Sequence, residues 1–298
     1  MRKTGRCIAA ALVAVLLLLP AVNGRAEVFF SKPPESWQEK PLLQWTVLDV
    51  DEGDAMLLEC GGESMLVDGG PDPFREMLRD ALDAKGFRRG MKYILNTHAH
   101  DDHIDGIIRL FEYGFRPGEY LHSYSDSAVE ADGFQRRAVE NAKKNGVSVR
   151  RIGDSSFLWL GDAEIRIYQC TEYADTNARS LMLKVTYGQC NLLLCADITG
   201  KTQLYFAENL PEGLLDVDVI KVPHHGITPV NMEFMDAASP EAAVITNTQK
   251  RLDGKTANQL RDRQIPALYS GDGTVYALCD GVDWYIWQED GKEAGGEY

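Results

Sequence analysis

Thr97-His98-Ala99-His100-Asp101-Asp102-His103 sets three imidazoles and two carboxylates among the last six of seven consecutive residues. Directly before it stands Tyr93-Ile94-Leu95, an apolar run with the character of a buried strand. In an extended segment residues two apart project from one face, so His98 and His100 aim at a common point. Neutral imidazole is the commonest protein ligand for zinc-like ions. Asp102 and His103 follow where a helix over 104–113 is expected to begin, and their side chains point elsewhere, toward a second ion. No secondary-structure propensity asks for such a run, so metal ligation by a pair of ions is the expectation.

The chain has six histidines. Two more sit together in Lys221-Val222-Pro223-His224-His225-Gly226, after an apolar strand-like segment, where Gly226 permits a tight loop. His225 is a distant ligand candidate, and the pair would also suit a helix terminus or an exposed loop. His122 stands alone and is taken as an ordinary satisfied histidine. A pair of cations also needs a carboxylate between them. Asp197 follows the apolar run Leu192-Leu193-Leu194-Cys195-Ala196 and precedes an expected helix, so it can bridge two ions or merely cap that helix.

Around these residues the pattern is mixed. Strands are expected over 43–50, 55–60 and 64–68 as an antiparallel meander, then a helix over 73–85, the metal-motif strand over 92–96 and a long helix over 127–145. Strands follow over 147–152, 156–160, 164–169, 180–187 and 190–196. The remainder alternates: helix 199–209, strand 217–222, helix 232–237, strand 242–246, helix 256–263, and strands 267–269, 274–278 and 284–287. Strand blocks ending in helices, twice over, predict an α+β fold of two mixed sheets packed face to face with helices outside.

Residues 1–6 are basic and 8–22 almost unbroken apolar, the composition of a secretory signal peptide over 1–26, cleaved near Gly24 or Ala26, or an anchor if it is kept. The folded part is then secreted or extracytoplasmic. A linker is expected over 27–40, a single domain over 41–290 and a flexible tail over 291–298. The formal charge of −14 falls to −18 without the leader, which holds Arg2, Lys3, Arg6 and Arg25 and no acid. So acidic a surface offers no extended footprint for duplex nucleic acid and no membrane contact beyond the leader. A small molecule or an oligonucleotide held locally is the expected partner, with oligomeric state left open. Cys60, Cys170, Cys190, Cys195 and Cys279 read mostly as small buried apolar residues; Cys190 and Cys195 fall on opposite faces of one strand and cannot bridge.

His98-Ala99-His100-Asp101-Asp102-His103 resembles the His-x-His-x-Asp-His signature of the metallo-β-lactamase superfamily. More narrowly, residues 47–55, Leu66-Val67-Asp68-Gly69-Gly70, Ser180-Leu181-Met182-Leu183, Cys195-Ala196-Asp197-Ile198 and Lys221-Val222-Pro223-His224-His225-Gly226 look like the hydrolase domain of the ComEC/Rec2 competence proteins and their stand-alone relatives. The resemblance implies a four-layered αββα sandwich and a hydrolase with two divalent ions; ligands of His and Asp type make zinc the expected metal, with manganese the alternative. It makes His98 and His100 ligands of one ion, and Asp102, His103 and His225 ligands of the other. Asp197 would bridge, and Asp68 would hold a ligand imidazole by its other nitrogen.

Two departures stand out. Many superfamily members carry a further His before the strand that here begins at Ser180; this chain has Asp175-Thr176-Asn177-Ala178-Arg179, with Asn177 as a weak substitute. A late His-Pro is replaced by Gly254-Lys255-Thr256, where Lys255 could touch an anionic substrate. Divalent ions lower the pKa of water and polarise a scissile oxygen, so no serine or cysteine nucleophile is required. Asp102 and His224 are the expected catalytic groups, the latter as donor to substrate or leaving group. Phosphodiester or phosphoester hydrolysis, single-stranded DNA included, is the leading expectation. Hydrolysis of carbonyl esters, lactones or β-lactams, or a catalytically weak binding module, are the alternatives.

Overall fold

Along most strands successive side chains are buried on opposite faces of the sheet, and this divides the interior into three apolar layers. The computed structural model describes residues 25–289. The expected leader up to Gly24 and the tail over 291–298 lie outside the described residues. The first sheet is built from β1 (Val28–Phe29), β2 (Leu43–Val47), β3 (Met56–Cys60), β4 (Glu63–Val67), β5 (Tyr93–Leu95), β6 (Glu119–His122) and β7 (Ser148–Arg151). The second holds β8 (Phe157–Leu160), β9 (Ala163–Tyr168), β10 (Met182–Tyr187), β11 (Cys190–Leu194), β12 (Val219–Lys221), β13 (Ala242–Ile245) and β14 (Ala267–Tyr269). The chain then returns to the first sheet as β15 (Val275–Cys279) and β16 (Trp284–Gln288). The orders are β1-β16-β15-β2-β3-β4-β5-β6-β7 and β14-β13-β12-β11-β10-β9-β8.

Trp45, Met56 and Leu58 of one sheet meet Leu183, Val185 and Leu192 of the other in the central layer. Leu66 and Ile94 pack outward against α1 (Arg75–Ala84), α3 (Asp101–Glu112) and α5 (Gly133–Lys144) through Leu78, Ile107 and Ala138, and the short α2 (Phe87–Gly90) leads from α1 toward β5. Leu193 and Ile220 pack the other way, with Phe206, Phe234 and Leu260 of α6 (Gly200–Asn209), α7 (Met232–Ala238) and α8 (Gly254–Asp262). The result is the expected four-layered αββα sandwich. Fully burying a Leu or Phe contributes about 1.5–3 kcal/mol, so these layers carry the fold. Cys190 lies in the central layer and Cys195 in the outer one, and all five described cysteines are buried and free.

Four local expectations change. The segment 27–40, expected as linker, contributes β1, paired in parallel with β16, and a helical turn Glu35–Glu39 whose Trp37 packs edge-on against Tyr285. Arg25 and Ala26, counted with the leader, belong to the folded body: Arg25 pairs with Asp216 at 2.7 Å and Ala26 is buried. The helix expected over 127–145 is two, α4 (Asp126–Ala131) and α5, because Asp132 breaks the first and caps the second by accepting the Gln135 N–H. The strand β6 was not expected. Buried within a parallel run, it shows no alternation and follows a Pro-Gly turn. Among the described residues no helix is long and apolar enough to cross a membrane.

Candidate metal centre

Parallel pairing brings the scattered candidates to one edge. Leu194 of β11 stands opposite Lys221 of β12, so the turns that follow, carrying Asp197 and His224-His225, emerge side by side. In the first sheet Val67 of β4 stands opposite Leu95 of β5, which sets Asp68 beside Asn96, Thr97 and His98. The helix α3 begins at Asp101, three residues earlier than expected, with His100 at its N-cap. Asp102 and His103 therefore lie in its first turn, where helical rather than extended geometry aims them apart from His98.

The turns are tightly strained. Asp68, Ala196, His224 and His225 all have positive φ, between 46° and 58°, although none is glycine. Such backbone persists where surrounding bonds enforce it, and it clusters at functional sites. Here the carbonyl of Ala196 accepts both the His224 N–H at 2.8 Å and the Lys221 ammonium at 2.9 Å.

One group of donors converges on a single point. His225 Nε2 lies 3.2 Å from His103 Nε2, 3.2 Å from Asp102 Oδ2 and 3.2 Å from Asp197 Oδ1. His103 Nε2 is 3.3 Å from Asp197 Oδ1 and 3.9 Å from Asp102 Oδ2. Four ligands at zinc–nitrogen or zinc–oxygen bond lengths on a tetrahedron stand about 3.3 Å apart, so these spacings fit one divalent ion. The other oxygen of Asp197 faces a second group: its Oδ2 is 3.7 Å from His98 Nε2 and 3.8 Å from His224 Nε2. His98, His100 and Asp197 offer donor atoms all within 4.8 Å of one another. The buried atoms His98 Nε2 and Asp197 Oδ1 have no hydrogen-bond partner, which a cation would supply.

Hydrogen bonds on the far side of each ring fix the tautomers. His103 Nδ1 donates to Asp68 Oδ2 at 2.8 Å. Asp68 also accepts the Thr97 N–H at 2.8 Å, the Thr97 hydroxyl at 2.6 Å and the Asn96 amide at 3.0 Å. With its proton so committed, the Thr97 oxygen accepts from His98 Nδ1 at 3.1 Å. His225 Nδ1 meets Thr246 Oγ1 at 2.9 Å. The Nε2 atoms of His98, His103 and His225 thus face inward, the orientation that metal-bound imidazoles require.

The electrostatics ask for positive charge. Burial pushes the His98 imidazole well below its usual pKa, keeping it neutral. Burial also opposes charge on His103, yet the Asp197 and Asp68 carboxylates overcome it and raise His103 to about 10; His225 is raised well above its usual value, with Asp197 the main cause. Against burial, the His225 hydrogen bond and the His103 charge hold Asp102 down at about 2.

Two buried participants were not anticipated. Asp54 sits on the Nδ1 side of both rings, 3.3 Å from His225 Nδ1 and 3.8 Å from His103 Nδ1, and 2.8 Å from the Lys221 ammonium. Asp54, His103, Asp197 and His225 also form a compact ligand set, but Asp102 faces the Nε2 atoms directly and Asp54 does not. We therefore place Asp54 behind the ligands. A lone lysine inside Val219-Ile220-Lys221-Val222 was the available signal, since a buried ammonium requires a carboxylate.

Asp197 takes no capping role: the N-cap of α6 is Thr199. Asn177 is brought to the site, its amide 3.3 Å from His224 Nε2, and His224 Nδ1 meets Thr228 Oγ1 at 3.3 Å. Lys255 is exposed in the first turn of α8, and among the described residues its side chain makes no polar contact with the cluster. His122 lies buried on β6, outside both ligand groups.

Residues 48–168 match the sequence model of the metallo-β-lactamase superfamily. A ribonuclease Z of Bradyrhizobium diazoefficiens is 46% identical over 57 residues, spanning 19% of this chain and only 18% of that protein. Among solved structures, the metallo-β-lactamase fold protein YhfI of Bacillus subtilis superposes with a TM-score of 0.52 at 14% identity, covering 84% of this chain and all of that one. CmlA, a diiron β-hydroxylase of Streptomyces venezuelae, superposes with a TM-score of 0.50 at 16% identity, over 83% of this chain and 55% of that one.

Proposed function

We propose that this chain, which has the metallo-β-lactamase fold and matches the superfamily's sequence model over residues 48–168, belongs to that superfamily and is a dinuclear metal-dependent hydrolase of phosphodiester or phosphoester bonds, of the competence-protein type and acting outside the cytoplasm. The observation that carries it is the position of Asp197, whose two oxygens face two separate donor groups. His103, His225, Asp102 and Asp197 Oδ1 would hold one ion; His98, His100 and Asp197 Oδ2 would hold the other. With no thiolate among the ligands, zinc, manganese and iron all suit the set.

The ions would supply Lewis acidity, lowering the pKa of water and polarising the scissile oxygen. The chain's own groups do the rest. Asp68 and Thr97 accept from the outer ring nitrogens of His103 and His98, and Thr246 meets that of His225, so the inner nitrogens face the ions. Asp102, partly open, borders the space in which substrate must lie. His224 Nε2 can take a proton and pass it to the leaving oxygen, with Asn177 and Thr228 fixing the ring. The match to a piece of a ribonuclease Z and the competence-type motifs support phosphorus over carbonyl chemistry. The basic and then apolar residues 1–24 support export.

Metal analysis of protein purified without chelators, paired with turnover of bis-p-nitrophenyl phosphate and of a chromogenic cephalosporin under zinc and manganese, tests this. Two ions per chain are expected, with phosphodiester turnover abolished by Asp197→Asn. Faster cephalosporin hydrolysis, or two bound ions with neither substrate cleaved, would overturn it.

A further inference from the structure

Beside the metal centre lies a cavity of about 200 Å³ whose walls include Ser123, Tyr124, Arg151, Thr171, Thr176 and Arg179. Two contacts tie it to the centre, one at the ligand segment and one beside His224. The Tyr124 hydroxyl accepts the N–H of Ala99, the residue between His98 and His100, at 2.9 Å. Thr176 precedes Asn177, which reaches His224.

The charge of this wall is unusual for so acidic a chain. Arg150 and Arg166 are matched by Glu119 and Glu164. Arg151 instead donates from Nε to the Ser123 carbonyl at 3.2 Å, and among the described residues neither Arg151 nor Arg179 has a carboxylate within ion-pair distance. In a protein of net charge −14, two unmatched guanidinium groups on one cavity, with the hydroxyls of Ser123, Tyr124, Ser125, Thr171 and Thr176 on the same walls, make a local anion-binding surface. Guanidinium forks match phosphate oxygens in pairs, and hydroxyls supply further donors.

We propose that this cavity is a subsite for a second phosphate group, next to the one being cut, so that the preferred substrate is a short oligonucleotide or another ester with two phosphates. This rests on the phosphodiester function proposed above. The subsite is built from side chains outside the ligand groups, so it can be examined with the metals removed.

Two measurements on the full chain separate the possibilities. In the first, thymidine 5′-monophosphate and thymidine are titrated calorimetrically into chelator-treated protein. The nucleotide is expected to bind and the nucleoside not to; the Arg151→Gln/Arg179→Gln variant should bind the nucleotide at least tenfold more weakly, and Arg151→Lys/Arg179→Lys should recover part of the loss. Equal binding of nucleotide and nucleoside, or unchanged affinity in the Gln variant, would overturn the subsite. In the second, the metal-loaded enzyme is offered thymidylyl-thymidine with and without a 5′-phosphate. A kcat/KM preference of at least tenfold for the phosphorylated form is expected, and the Gln variant should lose it; no preference overturns the proposal. Failure to cleave any phosphodiester would refute the function while the calorimetry still decides the subsite. Both arginines are exposed, and thermal melting of each variant checks that the fold is kept.

Discussion

The ammonium of Lys221 lies 2.8 Å from Asp54 Oδ2, and both side chains are fully buried beneath the candidate metal centre. Burial alone would drive the lysine toward its neutral form, but the Asp54 and Asp197 carboxylates raise its pKa instead. It is a fixed cation in the floor of an acidic cluster, and its third contact, to the Ala196 carbonyl, ties it to the turn that carries Asp197.

Removing one member of such a pair strands the other without water. Lys221→Met is expected to destabilise the chain by about 3–5 kcal/mol, and Lys221→Met combined with Asp54→Asn to cost less than Lys221→Met alone. Urea unfolding of the single and double variants measures this. If Lys221→Met unfolds at the wild-type midpoint, the pair contributes no stability.

Asp68 collects four hydrogen bonds and gives His103 its orientation. Asp68→Asn keeps the shape but places an amide where a carboxylate accepted, so the His103 ring loses its anchor. Affinity for the ion held by His103 and His225 should fall about 10–100-fold, the usual cost of losing a partner behind a ligand. Competition with a chromogenic chelator reads it directly, and an unchanged affinity would remove Asp68 from the site.

Much of this was legible in the sequence. The His-x-His spacing and the apolar runs before Asp197 and His225 pointed to residues that the fold does bring together, because a strand followed by a polar turn places side chains at a sheet edge. The four layers followed from alternating strands and periodic helices. Asp54 and Lys221 were hidden, since their partnership spans 167 positions and is made by strand order, which one-dimensional patterns do not carry. The Arg151 and Arg179 cavity was hidden for the same reason: β7 and the loop before β10 meet only in the folded chain. β6, buried in a parallel run, offered no periodicity to read.

Gly106 in α3 touches the Gly69 turn so closely that a Cβ on it would sit 1.9 Å from the Gly69 carbonyl oxygen. The oxygen is backbone and a Cβ is fixed by the helix backbone that bears it, so neither can swing away. Gly106→Ala should therefore cost about 3 kcal/mol or more, despite alanine's better helix propensity, and should also weaken metal binding, because His103 lies one turn earlier on the same helix. Gly200→Ala, whose Cβ would meet nothing within 4 Å, is the control and should stay within about 0.5 kcal/mol. Equal melting temperatures for the two variants would show that the turn yields.

His122 is buried on β6 and accepts the Tyr124 N–H on Nδ1 at 3.1 Å, which only the neutral ring can do. Tyr120 and Tyr124 flank the ring. Burial, reinforced by the Arg151 and Lys143 charges and opposed by Asp126, pushes its pKa down to about 4. In the unfolded chain the ring protonates near the ordinary histidine value of about 6.5, so below that pH the unfolded state binds a proton that the folded state refuses. Stability from this group is thus complete above about pH 6.5 and drains away as pH falls toward 4, by up to about 3 kcal/mol. His122→Asn, whose carbonyl can accept the same N–H, should flatten that decline. Urea midpoints of chelator-treated wild type and variant at pH 7, 5.5 and 4.5 measure the difference, and parallel curves would show that the ring takes its proton without loss.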